Sequence, residues 1–214
     1  MIFLQTAIEP KLDVIALLMK GGLVMAVLVV LSILAFVLII ERLMFFSKNM
    51  KANDAKLKQL VDHLSSERYS EASKVCDSEN NSWGRVFRYA ATAETTNVDI
   101  IDPLMEDAAN VEVTRLEKGL TYLSMIAGLA PLLGFIGTII GVINIFFKIS
   151  TSKDISISVI SEGLYQKMVS SAGGLVVGII AFAAYHMLQN QIDGYVSKLQ
   201  EHSLALRMAL NKKN

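Results

Sequence analysis

Residues 120–147 (LTYLSMIAGLAPLLGFIGTIIGVINIFF) and 168–185 (MVSSAGGLVVGIIAFAAY) decide the fold. Both stretches are uncharged, and each is close to the length of about 20 residues at which a helix crosses a bilayer. Small and hydroxyl residues recur in them at helical spacing, which a helix surrounded only by lipid does not need. Close packing of helices around something polar does need them. The two stretches therefore predict membrane helices with a role beyond anchorage.

A third stretch, residues 21–40, is also uncharged and has Ser32 as its one polar side chain. Hydrophobic residues make up 53% of the 214 residues, which is more than a soluble globular domain usually contains. The sequence therefore predicts an all-α membrane protein with three transmembrane helices. Two of these helices are expected to extend as long helices into a cytoplasmic helical bundle.

The basic residues predict the orientation of the spans. Fifteen of the 20 Lys and Arg residues lie in residues 41–119 or after residue 188, and Arg42 and Lys48 directly follow the first span. Positive residues stay in the cytoplasm during insertion, so the amino terminus is expected outside and the carboxyl terminus inside. The start of the chain lacks the pattern of a cleaved signal peptide, so the first span is expected to act as an uncleaved anchor.

The predicted organisation follows from these spans. A mildly amphipathic external segment comes first, with an unstructured leader as the alternative. The predicted parts are this external segment at 1–20, transmembrane helix 1 at 21–46, a cytoplasmic helical domain at 47–118, transmembrane helix 2 at 119–148, a short external loop at 149–157, transmembrane helix 3 at 158–188 and a cytoplasmic carboxyl-terminal helix at 189–214.

Two helix starts are predicted in the polar middle segment. Asp102-Pro103 is a capping residue followed by proline at the first helical position, and an apolar stripe runs from there into the second span. We therefore predict one helix from Pro103 to about Phe147. A shorter helix is expected to begin at Trp83, capped by Ser82.

Small residues form a face on each of the second and third spans. Two such faces brought together would line a narrow, slightly polar passage. The alternative is tight packing alone, with each hydroxyl bonded back to its own helix. The candidates for the ion path are Thr138, Ser171, Gly134, Gly141, Gly174, Gly178 and Ser170, and the candidates for helix packing are Gly137 and Pro131.

Residues 120–147 and 168–185 contain no Asp, Glu, Lys, Arg or His. Proton relays through membranes generally use an ionisable side chain in the interior. The chain is therefore either not a proton path or the housing of a titrating group that a partner supplies. Glu162, Gln166 and Lys167 precede the third apolar stretch, where they could form an outer mouth or simply a solvated helix start.

Composition argues against several other classes. The formal net charge is zero, so nothing favours binding to nucleic acid. His63, His186 and His202 are scattered without the spacing of a metal or catalytic site, so we predict no enzyme, no metal and no cofactor. Cys76 is the single cysteine, which excludes an internal disulfide and predicts a reduced thiol.

Several motifs of the chain resemble those of a known family. Leu116-Glu-Lys-Gly-Leu-Thr-Tyr-Leu, followed by Ala130-Pro-Leu-Leu-Gly-Phe-Ile-Gly-Thr-Ile-Ile-Gly-Val, resembles the second-span motif of the MotA/TolQ/ExbB proton-channel family. Ile40-Glu-Arg and Ser171-Ala-Gly-Gly-Leu resemble the family as well, and the three-span layout and length favour its ExbB/TolQ branch. The resemblance covers essentially the whole chain.

The resemblance implies a function and partners. It implies a homo-oligomer, a pentamer, in the bacterial inner membrane, enclosing ExbD- or TolR-like single-span proteins that supply a membrane aspartate. Such an assembly would use the proton motive force to energise a TonB-like protein for outer-membrane transport. The alternatives are a TolQ-like motor for envelope maintenance and a non-conducting scaffold.

The resemblance also assigns residues. Thr138 corresponds to the pore threonine of the second span, and Ser171 stands where the third span usually has a threonine. Gln166 stands where ExbB proteins often carry a glutamate, and a neutral amide cannot titrate. Glu162, one turn earlier, could substitute for it. Protons are the expected coupling ion, with sodium as the alternative.

Overall fold

The computed structural model describes residues 22–51, 53–151 and 157–212, with the backbone alone for residues 157–159, 162 and 166. The predicted external segment at 1–20 and most of the predicted loop at 149–157 lie outside the described residues. The described ranges contain no strand, so the all-α prediction is confirmed. Their helices are α1 (Gly22–Asn49), α2 (Asp54–Ser65), α3 (Tyr69–Asp77), α4 (Ser82–Thr92), α5 (Val98–Glu117), α6 (Leu120–Thr151) and α7 (Ile157–Asn211).

Three of these helices are long and apolar enough to cross a membrane, as predicted. Mean hydropathy reaches 3.4 in α1, 2.3 in α6 and 1.8 in the part of α7 from Gly163 to Asn211. With 55 residues, α7 is roughly 80 Å long at 1.5 Å per residue, far more than the hydrocarbon core of a bilayer requires. The helix therefore extends well beyond its apolar part.

The described residues divide into two compact units. Residues 22–36 and 124–182 form the first, here called the membrane unit, and residues 37–123 and 183–212 form the second, called the polar unit. In the membrane unit, Met25 and Leu28 of α1 are buried together with Ala130 of α6. Val24, Leu133, Val169 and Val177 pack around them, so that α1 contributes to one core with α6 and α7.

The polar unit is built on a buried aromatic pair. Trp83 and Phe87 of α4 are fully buried, and their rings stack with centroids 4.7 Å apart. Asparagine side chains cap α2, α4 and α5 by accepting hydrogen bonds from backbone amides of the first turn. The apolar stripe of α7 is buried here, at Leu188, Ile192, Tyr195, Leu199, Leu206 and Leu210.

The prediction of one helix from Pro103 to Phe147 is wrong in two respects. The helix begins earlier than Pro103, and it is interrupted before the second span. The Asn97 side chain accepts from the amide of Asp99, so α5 begins at Val98 and contains Pro103. The helix then breaks between Glu117 and Leu120, where Gly119 has φ +92°. Glycine adopts this conformation at little cost, and an apolar stripe does not reveal it.

The predicted cap of α4 is also displaced by one residue. Asn81 accepts a hydrogen bond from the Gly84 amide at 2.9 Å, whereas Ser82 is the first helical residue. The Ser82 hydroxyl accepts instead from Arg85 at 3.1 Å. Asparagine and serine are about equally good caps, so adjacent candidates cannot be separated by preference alone.

Candidate ion-path seam

The candidate site is the contact between α6 and α7 in the membrane unit, here called the glycine seam. Its closest approach is at Gly174, where an added Cβ would lie 2.5 Å from the Ala130 carbonyl oxygen and 3.0 Å from the Gly134 Cα. A Cβ on Gly134 would lie 3.1 Å from the Cα of Ser171. The two backbones therefore touch, which only residues without a side chain allow.

This contact favours tight packing over a passage between the two helices within one subunit. The faces that carry Gly134 and Gly174 were expected to line a passage when brought together, but within one subunit they close against each other. Small residues let the backbones of membrane helices approach closely, which strengthens the packing of the helices. Within the subunit, α6 and α7 therefore leave no space between Gly134 and Gly174, and the ion-path role of these residues stays a prediction.

Pro131 and Gly178 fit together at one end of the seam. A Cβ on Gly178 would lie 2.7 Å from the Pro131 Cδ and 3.1 Å from the Ala127 carbonyl oxygen. Proline at position 131 cannot donate to the Ala127 carbonyl, the usual partner four residues earlier. The proline ring occupies the groove that Gly178 leaves open.

Gly137 joins all three membrane helices. A Cβ there would lie 3.0 Å from the Ser170 Oγ on α7 and 3.1 Å from a Val24 methyl carbon on α1. Ser170 is fully buried in this contact, and its hydroxyl donates to the carbonyl oxygen of Lys167 at 2.9 Å. The structure therefore shows Ser170 taking part in helix packing, and its position along the ion path stays a prediction.

The Thr138 hydroxyl connects α6 to α7. Its Oγ1 lies 3.2 Å from the Lys167 carbonyl oxygen on α7 and 3.3 Å from the Gly134 carbonyl oxygen on its own helix. The hydroxyl has one hydrogen, which these two carbonyls share, while its oxygen can still accept a hydrogen bond. Thr138 is half-buried, so this oxygen is within reach of a neighbouring group.

Ser171 lies one turn from the Lys167 carbonyl on α7. It is partly exposed, and its hydroxyl makes no hydrogen bond to any other residue that the structure describes. Both its donor and its acceptors can therefore bond to a group outside the subunit. Among the predicted hydroxyls, the structure sets Thr138 and Ser171 apart from Ser170.

Gly141 provides space for a charged side chain. A Cβ at this position would lie 2.7 Å from the Cε of Lys167, because the aliphatic part of that lysine crosses α6 here. Glu162 and Gln166 belong to α7, but their side chains lie outside the described part, so the outer mouth stays a prediction.

Much of the remaining surface of these helices is apolar. Large side chains that are more than half exposed point away from the packed core on both helices, which requires cover by lipid or by other membrane helices. In the membrane unit they are Met125, Leu132, Phe135, Ile143, Phe146 and Phe147 on α6 and Met168, Leu175, Val176, Ile179 and Phe182 on α7.

Comparison with known proteins identifies the family. Residues 78–201, more than half of the chain, match the MotA/TolQ/ExbB proton channel family. The chain belongs to this family. This matched region includes α6 and most of α7, and hence every residue of the glycine seam.

Individual relatives favour the ExbB/TolQ type. An ExbB homolog from Methanothermobacter thermautotrophicus is 24% identical over 199 residues, which cover 92% of this chain and 71% of that protein. The biopolymer transport protein exbB1 of Vibrio cholerae is 34% identical over 106 residues, which cover 47% of this chain and 46% of that protein. The Tol-Pal system protein TolQ of Haemophilus influenzae is 28% identical over 89 residues, which cover 42% of this chain and 39% of that protein.

These findings establish the general class of the protein. It is a membrane protein of the ExbB/TolQ type within the proton-channel family. Family membership implies an oligomeric assembly and a partner of the ExbD/TolR type.

The polar unit of this family member contains an ionic cluster that sequence reasoning missed. Glu112 is 3% exposed and accepts from Arg85 Nη2 at 2.7 Å and from Arg115 Nη1 at 2.6 Å. Arg85 also donates to Asn49 Oδ1 at 3.2 Å. Burial alone would raise the pKa of Glu112, but the hydrogen bond and charge of Arg85, with help from Ser82 and Arg115, hold it below its ordinary value.

A signal for this cluster exists in the sequence. Glu112 falls at helical spacing between the buried residues Ala108 and Leu116 of α5, so a carboxylate sits on an apolar face. A charge in such a position requires a partner. The cluster joins α4 and α5 and lies in the polar unit, so its geometry indicates a structural function.

His202 also acquires partners that its isolated position in the sequence did not predict. Its Nδ1 accepts from the Trp83 indole N–H at 3.1 Å, and its Nε2 lies 2.9 Å from Asp54 Oδ1. The imidazole therefore fastens α7 to α2 and α4. Among the described residues, no group of three or more His, Cys, Asp or Glu side chains is arranged to hold a metal.

Proposed function

We propose that this chain is the ExbB-like subunit of a proton-driven motor that energises a TonB-like protein for outer-membrane transport. Five copies would surround two single-span proteins of the ExbD/TolR type, with the amino terminus in the periplasm and the carboxyl terminus in the cytoplasm. The observation that carries the proposal is the Ser171 hydroxyl, which is uncommitted to any described residue and lies beside the Thr138–Lys167 bond.

The chemistry follows from what the apolar stretches lack. They contain no ionisable side chain, so a proton that crosses here needs a carboxylate from the partner. The partly exposed Ser171 hydroxyl can donate to that carboxylate when the carboxylate is charged, and the oxygens of Ser171 and Thr138 can accept from the carboxyl group when it is protonated. Water ordered by the same hydroxyls would deliver and remove the proton.

Rotation would follow from the change of charge. A charged carboxylate is held at a hydroxyl face of one subunit, because an unpaired charge in the membrane is costly. Protonation from the periplasmic side removes this penalty, releases the carboxyl group and lets the pentamer turn until the proton leaves to the cytoplasm. Each elementary charge that crosses supplies about 2.3 kcal/mol per 100 mV, so a few charges per step can drive a mechanical load.

A non-conducting scaffold is the second candidate. The backbone contact between Gly134 and Gly174 supports it, because these glycines are accounted for by packing alone. The Ser171 hydroxyl takes no part in this packing. Because packing alone does not account for this hydroxyl, its presence favours a conducting subunit over a scaffold. A proton-flux assay in vesicles containing the chain and its single-span partner separates the two, and no flux under any activating condition would support the scaffold.

Removal of the two hydroxyls tests the proposal. We expect the Thr138→Val, Ser171→Ala double variant to abolish energised uptake while the complex with the single-span partner still assembles. Ser124→Ala is the matched control, because it removes an exposed hydroxyl from α6 away from the seam. Normal uptake in the double variant would contradict the proposed role of Thr138 and Ser171.

A further inference from the structure

Lys167 places a charged group at the end of the glycine seam. Its side chain crosses α6 in the space left by Gly141, with Cε 2.7 Å from the position of an added Cβ. Its Nζ reaches to 4.0 Å from the Cβ position of Gly22, the first residue of α1. The ammonium group therefore lies where the three membrane helices come together, at the end of the seam nearest the start of α1.

The same residue contacts the hydroxyl groups of the seam through its backbone. The Lys167 carbonyl oxygen accepts from Thr138 and from Ser170, which fixes the position of the residue next to the proposed ion path. The ion pairs formed among the described residues do not include Lys167. Because the side chain is half-buried, its charge is only partly screened by solvent.

A fixed positive charge at this place has a definite electrostatic effect. It lowers the local concentration of cations, and a single charge within about 10 Å changes that concentration roughly two- to fourfold in a solvent-like medium. Gly141 determines where the charge lies, because any side chain at position 141 would displace the lysine stem.

We propose that the positive charge of Lys167 lies at the mouth of the ion path and limits the rate at which protons enter it. Gly141 positions this charge. The inference rests on the proposed function, since it assigns a rate-setting residue to the same path. Lysine is suited to this role because its stem packs on apolar surface while the ammonium group reaches toward water.

The test measures proton flux in proteoliposomes containing this chain with its single-span partner. Lys167→Met removes the charge and keeps an unbranched apolar stem, whereas Lys167→Arg keeps the charge. At low salt we expect roughly two- to fourfold faster flux in Lys167→Met and near wild-type flux in Lys167→Arg. At about 1 M salt, where the Debye length is about 3 Å, the difference between wild type and Lys167→Met should vanish.

A double-variant comparison tests the role of Gly141. Gly141→Ala should displace the ammonium group and increase flux in the wild type, but it should add nothing when Lys167→Ala has already removed the charge. Equal flux in wild type and Lys167→Met, or a difference that salt does not change, would overturn the inference alone. A wild-type complex that does not conduct at all would overturn the proposed function and the inference with it.

Discussion

The Thr138 hydroxyl on α6 donates to the Lys167 carbonyl oxygen on α7 at 3.2 Å, which joins the two helices by a side-chain hydrogen bond. The Ser170 hydroxyl donates to the same oxygen at 2.9 Å. The Lys167 carbonyl oxygen therefore accepts hydrogen bonds from hydroxyl groups of both helices. Ser171, one residue further along α7, makes no such bond to a described residue and remains available.

The packing of the seam predicts different effects at two adjacent glycines. Gly174→Ala should destabilise the membrane unit and weaken assembly, because the new Cβ would overlap the Ala130 carbonyl oxygen at 2.5 Å. Gly173→Ala should be tolerated, because its Cβ would meet only the Met25 side chain, at 3.4 Å. Overpacking typically costs about 1–3 kcal/mol. Thermal unfolding in detergent and size-exclusion chromatography would measure both variants, and equal behaviour would contradict the proposed helix contact.

The polar unit predicts a similar contrast. Gly84→Ala should destabilise the polar unit, because its Cβ would lie 2.6 Å from the Cys76 carbonyl oxygen and 2.9 Å from the Cβ of Glu79. Gly194→Ala is the control, since nothing lies within 4 Å of its Cβ position, and there alanine should stabilise the helix by about 0.5–1 kcal/mol. Trp83 is the single tryptophan and is fully buried, so its fluorescence reports unfolding of this unit. A stable Gly84→Ala protein would contradict the close approach.

The ionic cluster predicts a dependence of stability on pH. Because the folded-state pKa of Glu112 is below its ordinary value of 4.5, its contribution is fully present above that value. The contribution is lost as the pH falls through the folded-state pKa. Glu112→Gln should cost about 2–3 kcal/mol at neutral pH, because it leaves the Arg85 guanidinium without its carboxylate partner.

The difference in stability between wild type and Glu112→Gln should therefore narrow as the solution becomes acidic. Denaturant unfolding followed by Trp83 fluorescence at neutral and acidic pH measures this difference. Glu106→Gln, on the exposed face of α5, is the matched control and should change stability by less than about 0.5 kcal/mol. A difference for Glu112→Gln that stays constant down to low pH would refute the assigned ion pairs.

The single cysteine predicts slow chemical modification. Cys76 is 1% exposed, and its burial, with a smaller contribution from Asp77, raises the pKa of the thiol to about 12. Since the thiolate is the reactive form, alkylation of the folded chain near pH 8 should be at least about a hundredfold slower than alkylation of the unfolded chain. Mass spectrometry would measure the extent of Cys76 alkylation at a series of denaturant concentrations. Rapid alkylation before Trp83 fluorescence changes would show that Cys76 is not buried.

The sequence predicted features that depend on local composition. The three spans are visible because uncharged stretches of the right length are rare outside membranes. The small-residue faces were likewise predicted from spacing alone. The sequence did not show that Gly134 meets Gly174, because this contact depends on how two helices are aligned in space.

The features that were missed depend on distant contacts or on a single backbone conformation. The Trp83–His202 hydrogen bond joins residues 119 positions apart, and no periodic pattern in one segment reveals it. Gly119 interrupts a continuous apolar stripe by its positive φ angle alone. Glu112 differs from these, because its place at helical spacing between Ala108 and Leu116 is a local feature of the sequence.

Proton flux into proteoliposomes under an imposed membrane potential tests the central claim most directly, which is that this chain houses the ion path but does not supply its titrating group. Three preparations are compared: the chain alone, its complex with the single-span partner, and the same complex with the partner's membrane carboxylate replaced by an amide. The account predicts flux in the unmodified complex and none above empty vesicles in the other two. Equal flux from the chain alone and from the complex would contradict it.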